Sequence, residues 1–134
     1  MRVSLFYRIA SVLLVLFAAG HALGFRQTDP RWGVDAVLAS MRTIHFEMQG
    51  FDRTYYDFFV GFGLIVSVFL LFAAVLSWQL GGMSKEALAL IPGVTWGLAI
   101  CFVVVTVLTW KYIFLVPVIF SALIALCLVL AAYL

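Results

Sequence analysis

The sequence predicts an all-α integral membrane protein: a four-helix bundle with a short amphipathic helix in the loop between its first two spans. Three observations predict it. Hydrophobic residues make up 66% of the 134 and charged residues only 10%, against about 45–50% and about 25% in soluble domains. A chain of this size buries roughly 60–70% of its surface, so lipid must solvate much of the remainder. The apolar residues also fall into four long runs, each near the ~20 residues a bilayer requires. No run alternates polarity over about 10 residues, as a barrel strand does. The length suits one domain, residues 1–134.

The first span is expected at about residues 6–25, its apolar run flanked by Arg2 and Arg8. A basic start followed by Ala18, Ala19 and Gly20 also suits a signal peptide, but the retained Met1 favours an uncleaved helix. Residues 26–55 carry most of the charge: Arg26, Asp29, Arg31, Asp35, Arg42, Glu47, Asp52 and Arg53. Within them Val37, Met41, Ile44 and Met48 recur at helical spacing. Asp35 suits the cap of such a helix and Gly50 its end. The segment would lie on the membrane surface or over the bundle mouth. Trp32 suits the interface. The second span, 56–80, closes at Gly81-Gly82, and Ser84, Lys85 and Glu86 form a polar turn. The third, 88–110, has Pro92 in its first turn, where proline is tolerated. Lys111 and Tyr112 mark a tight turn before the fourth span, 113–134. Trp78, Trp110 and Tyr112 sit at span ends, as an aromatic belt requires.

Four spans place both termini on one side, here called end A, with Lys85 and Glu86. The long loop and the Lys111 turn lie at end B. Arg2, Arg8 and Lys85 give end A three basic residues; Arg26, Arg31, Arg42, Arg53 and Lys111 give end B five. That count favours a cytoplasmic end B, but the basic flank of the first helix favours end A, and the first helix usually dominates. Cytoplasmic termini in a bacterial inner membrane are therefore expected. A net charge of +2 without basic runs gives no footing for nucleic acid. Membrane lipid is the expected partner. Gly20/Gly24, Gly63/Ser67 and Gly93/Gly97 are small-xxx-small pairs, which either pack helices within the bundle or join copies in a homo-oligomer.

The topology gathers ionisable groups at end B, where a charge is costly unless paired or hydrated. His21 ends the first span and suits a proton shuttle, a metal ligand or a contact for a lipophilic head group; equally, it is an interfacial histidine satisfied by Asp57 or a carbonyl. Asp57 opens the second span. It is a catalytic candidate, as general base or as the group that orients His21, or else a carboxylate complementing the helix dipole. Gly61, Leu64 and Val68 continue its face, which suggests a groove running into the bundle. Arg53 lies one helical turn earlier and could pair with Asp57. A lipophilic ligand would further meet His45, Tyr56, Phe58, Phe62, Trp110, Lys111 and Tyr112. His21, His45, Glu47 and Asp57 are of types that bind zinc or iron. No H-E-x-x-H motif is present, however, and His45 and Glu47 at i,i+2 would lie on different helix faces. No metal site is expected and no cofactor is assigned. Cys101 and Cys127 form no C-x-x-C pair. They lie about 15 Å and about 24 Å from the Lys111 turn along their helices, a depth mismatch that argues against a disulfide. No nucleophile elbow, phosphate loop or dinucleotide fingerprint occurs.

Two motifs carry a resemblance: Gly20-His21-Ala22-Leu23-Gly24 at the end of the first span, and Tyr56-Asp57-Phe58-Phe59-Val60-Gly61-Phe62-Gly63 at the start of the second. In them, and in helix layout over most of the chain, the sequence resembles small bacterial four-helix membrane proteins of DoxX-like size and layout. The resemblance implies the fold but no activity. Small multidrug-resistance transporters share the size, but they carry a glutamate in their first helix, and this first span has none. Three functions are compatible with the sequence: binding or acting on a lipophilic small molecule such as a quinone, sterol-like lipid or isoprenoid at one bundle end; an accessory subunit of a membrane complex; and a small dimeric transporter.

Overall fold

A computed structural model of the chain describes residues 2–134. Its four long helices are α1 (Arg2–Gly24), α3 (Tyr55–Leu80), α5 (Pro92–Tyr112) and α6 (Leu115–Tyr133), each long and apolar enough to cross a membrane. The protein is an integral membrane four-helix bundle, as its composition predicts. Pro92 occupies the first turn of α5, and a separate short helix, α4 (Lys85–Ala89), precedes it. The third span therefore begins four residues later than the hydropathy of 88–110 suggests, because proline, lacking an N–H, starts a helix rather than continuing one.

The packing order is α3–α1–α6–α5: α1 packs on α3 and α6, α6 packs on α5, and α3 and α5 do not pack along their lengths. The distribution of buried residues follows from this order. Central α1 buries Val3, Tyr7, Ala10, Ser11, Leu14 and Ala18, enough for two contact faces. Edge helix α5 buries only Thr95, Ala99 and Phe102. Small residues are prominent among the buried positions of α1 (Ala10, Ser11, Ala18) and of α3 (Ser67, Ala73, Ala74, Ser77). Small side chains let backbones approach where lipid offers no hydrophobic drive. Ser11 Oγ donates to the Ala74 carbonyl at 2.8 Å, and Ser4 Oγ donates to that of Gly81. On the α5–α6 seam, Thr109 and Ser121 join their hydroxyls at 3.0 Å. Cys101 and Cys127 are free.

The polar segment departs from the expected amphipathic helix. A 3₁₀ turn at Pro30–Trp32 is capped by Asp29, whose carboxylate also takes two guanidinium donors from Arg31. That pairing holds the Asp29 carboxyl below the usual carboxylate range. The helix itself, α2, spans only Asp35–Thr43. Asp35 lies in its first turn and does not cap it; Val34 holds the cap position without a side-chain bond. Half-buried Val34, Leu38 and Met41 form its inner face, whereas Val37 and Ile44 are exposed. An antiparallel hairpin follows, β1 (His45–Met48) and β2 (Phe51–Thr54), with Met48 opposite Phe51. Gly50 does not end a helix. With Gln49 it forms the two-residue hairpin loop, at φ 82° and 54°, the paired positive values that a type I′ turn demands. His45-Phe46-Glu47-Met48 alternates polar and apolar at period two, whereas Phe51-Asp52-Arg53-Thr54 is polar after Phe51, and only the Val37 and Met41 turns of the apolar stripe are helical.

Candidate functional site

Along α3, Asp57 precedes Ser67 by ten residues, about 15 Å of helix. Ser67 receives the last side-chain hydrogen bond that α1 makes to α3 among the described residues. His21 Nδ1 meets Ser67 Oγ at 3.0 Å, and Phe25, just beyond α1, lies against Gly63. The first turns of α3 thus project past the end of α1, and the hairpin and α2 pack on that projection. His21 and Asp57, expected to pair at one rim, have separate partners. Ser67 Oγ donates to the Gly63 carbonyl at 3.1 Å, and with its one proton so used it accepts from His21 Nδ1. His21 also stacks on Phe25, ring centroids 5.4 Å apart.

Asp57 closes a capping box. Its Oδ2 accepts from the Thr54 amide at 2.8 Å and the Thr54 hydroxyl at 2.9 Å, while Thr54 Oγ1 accepts from the Asp57 amide at 3.1 Å. Thr54 is extended and supplies the break between β2 and α3. Arg53, expected to share a helix face with Asp57, belongs to β2 instead; its Nη1 donates to the Asp52 carbonyl at 2.7 Å and its guanidinium lies over Phe51.

Arg53, Asp57, Phe58 and Phe62 nevertheless line one shallow depression of about 300 Å³, completed by Gly61 and Ile65. Asp57, Gly61 and Ile65 are successive i,i+4 positions, so the depression is a stripe of α3 notched where Gly61 has no side chain. A Cβ there would meet nothing within 4 Å. The groove runs along the outer face of α3 and not into the bundle, since Leu64 and Val68 are exposed. Phe46 of the hairpin braces its wall, with ring centroids 5.2 Å from Phe58 and 5.1 Å from Tyr55. Sequence reading missed Phe46 and Ile65, although the alternation of β1 could have placed Phe46 on the inner hairpin face.

The other expected ligand contacts lie elsewhere. Tyr56 receives the Arg42 guanidinium carbon 4.5 Å from its ring centroid and clamps α2 to α3. His45 Nδ1 meets Asp52 at 3.1 Å across the hairpin. Because β1 is a strand, His45 and Glu47 share a face, contrary to the helical expectation. Even so, no cluster of three metal-ligating side chains occurs among the described residues. Trp110, Lys111 and Tyr112 are exposed at the end of α5, at the edge of the row remote from α3, with Lys111 Nζ 5.0 Å from the Tyr112 ring. Of the small-xxx-small pairs, only Gly63/Ser67 packs within the chain; Cβ atoms at Gly20, Gly24, Gly93 and Gly97 would meet nothing. Comparison with protein-family models, with curated proteins and with solved structures returned no match to this chain.

Proposed function

We propose that this membrane protein binds a lipophilic small molecule at the hairpin end of α3. The observation that carries the reading is the depression itself: Phe58, Phe62 and Ile65 make its wall, Gly61 makes room, and Arg53 and Asp57 stand at its polar lip. Apolar walls with a few convergent polar groups are the usual form of a small-molecule site. A flat ring such as a quinone suits an aromatic wall, and the Arg53 N–H groups suit its carbonyls. The test is native mass spectrometry of the full chain from mild detergent, alone and with decylubiquinone. Bound small molecule should be lost in Gly61→Phe, which fills the notch without touching the core. Equal occupancy in wild type and Gly61→Phe, or no occupancy in wild type, would defeat the proposal.

The open glycine face of α5 favours a second reading, an accessory subunit. Gly93 and Gly97 lie on an edge helix with no neighbour over them. Gly97→Ile should then release a stoichiometric partner or separate a homo-oligomer; unchanged mass in detergent would remove this reading. For orientation, the basic flank of α1 supports cytoplasmic termini in a bacterial inner membrane. A C-terminal fluorescent fusion that fails to light in the cytoplasm would reverse it.

A further inference from the structure

Arg8 stands inside α1, past the helix's first turn. A guanidinium keeps its charge at any ordinary pH, and a charge at the membrane boundary is costly unless paired or hydrated. No carboxylate meets Arg8 among the described residues, whose ion pairs are Arg31 with Asp29 and His45 with Asp52. At end A, Glu86 is held by hydrogen bonds at the start of α4, and the Leu134 oxygen is taken by Lys85.

The structure nevertheless holds the Arg8 head group in one place. Its guanidinium carbon lies 3.6 Å from the centroid of the Trp78 ring, on the neighbouring helix α3, a stacked cation–π contact. The Gly81-Gly82 turn that ends α3 passes beside it. A Cβ on Gly81 would come 3.2 Å from Arg8 Nε, and one on Gly82 would come 3.5 Å from Nη2. The two bare glycines thus keep side chains away from the Nε–Nη2 edge. Nη1 is buried without a partner. Nε and Nη2 are not sealed in this way, and no acceptor among the described residues meets them. Their N–H groups leave one edge of a planar fork, the geometry that grips two oxygens of one anion. The negative end of α3 offsets only about half a charge, so the edge stays positive.

Trp78 is exposed, and Val75, Leu71 and Val68 continue its face of α3, all exposed. This apolar stripe leads from Arg8 toward the middle of the membrane, the path of an acyl chain. We propose that Arg8, Trp78 and the Gly81-Gly82 turn form a binding site for the phosphate of an anionic phospholipid, whose acyl chain lies along α3. Free phosphate shares the oxygens but has no chain for the stripe. The site lies at the opposite end of α3 from the depression at Gly61, and neither depends on the other.

The experiment is native mass spectrometry of the full chain from dodecyl maltoside, titrated with dioleoyl phosphatidylglycerol, dioleoylglycerol or inorganic phosphate. Saturable retention of phosphatidylglycerol is expected, with no retention of dioleoylglycerol and no displacement by excess inorganic phosphate. Arg8→Gln should weaken retention by roughly tenfold or more, because it removes a charged donor pair. Arg8→Lys should weaken it by about threefold or more, since an ammonium keeps the charge but not the fork. Arg2→Gln removes the same charge from the same end and should change it by less than about twofold. Gly82→Val leaves Arg8 in place but crowds Nη2, and should also weaken retention; it reads the site if the Arg8 variants do not fold. Equal losses in Arg2→Gln and Arg8→Gln would overturn the site, as would wild-type retention in Arg8→Lys or in Gly82→Val. So would dioleoylglycerol held as well as phosphatidylglycerol, or no lipid held by the wild type. Displacement by inorganic phosphate would overturn the phospholipid in favour of the free anion.

Discussion

Asp57 shows how one carboxylate can look catalytic in sequence and serve a helix end in structure. Its hydrogen bonds run to Thr54, the residue that turns β2 into α3. Thr54→Ala should cost about 1 kcal/mol of stability, the usual value of a lost cap, and Asp57→Asn should cost less because an amide oxygen still accepts. Denaturant unfolding in detergent would measure both; Asp57→Asn as the more damaging of the two would contradict this ordering. Gly63 is a second such residue. A Cβ there would enter the Phe25 ring, which stacks on His21, so Gly63→Ala should displace that ring and cost about 1–3 kcal/mol as overpacking does. A variant as stable as wild type would mean that Phe25 swings aside freely. Asp29 carries a pH signature. Its folded-state pKa is depressed by Arg31, so its contribution is present above the ordinary carboxylate range and is lost only as pH falls through the depressed value. In carboxyl ¹³C titration, Arg31→Gln should move the Asp29 midpoint upward.

At the scale of elements, the hairpin β1–β2 is the part most open to adjustment. Gln49 has a positive φ of 54°, which a residue with a Cβ adopts at a cost of roughly 1–2 kcal/mol. Gln49→Gly should therefore stabilise the hairpin by about 1 kcal/mol, visible as greater amide-exchange protection of Phe46 and Arg53. Gly50→Val, at φ 82°, should abolish that protection. Glu47 and Asp52 stand directly opposite each other, a like-charge pairing that disfavours the sheet, while His45 beside Asp52 offsets part of it. Such a marginal hairpin depends on its packing through Phe46 onto Tyr55 and Phe58, which ties the wall of the α3 depression to the folding of the loop above it.

At the scale of the whole molecule, the open side between α3 and α5 distinguishes this arrangement from a closed bundle. Neighbouring helix axes lie about 8–10 Å apart, and a closed bundle would put α3 and α5 at that separation. Spin labels at Phe69 on α3 and Ile100 on α5, with Cys101 and Cys127 replaced, should report a distance well beyond one helix diameter. A single-diameter distance would mean that the bundle closes in a membrane. The same order makes α1 the helix that joins the α5–α6 pair to α3. Ser11→Leu, placed at the α1–α3 seam where the Ser11 hydroxyl meets the Ala74 carbonyl, should loosen α3 while leaving α5–α6 packed, which selective protease access to the 81–84 turn would detect.

Composition and hydropathy alone determined that this chain lives in a membrane, that it has four spans, and where three of them end, because lipid solvation acts on each segment independently of its neighbours. The 45–54 hairpin was misread because a four-residue strand and one helical turn share apolar spacings, and only pairing of the two strands decides between them. The gathering of Asp57, Phe58 and Phe62 followed from local spacing along one helix, and Arg53 joins them from β2 across the break at Thr54. The separation of His21 from Asp57 did not. It depends on how far α3 extends past α1, which is set by the register of Ser4, Ser11 and His21 against Gly81, Ala74 and Ser67. A cavity around Tyr7 and Lys85 likewise arises from residues of α1, α4, α5 and α6, and only helix packing order could bring them together.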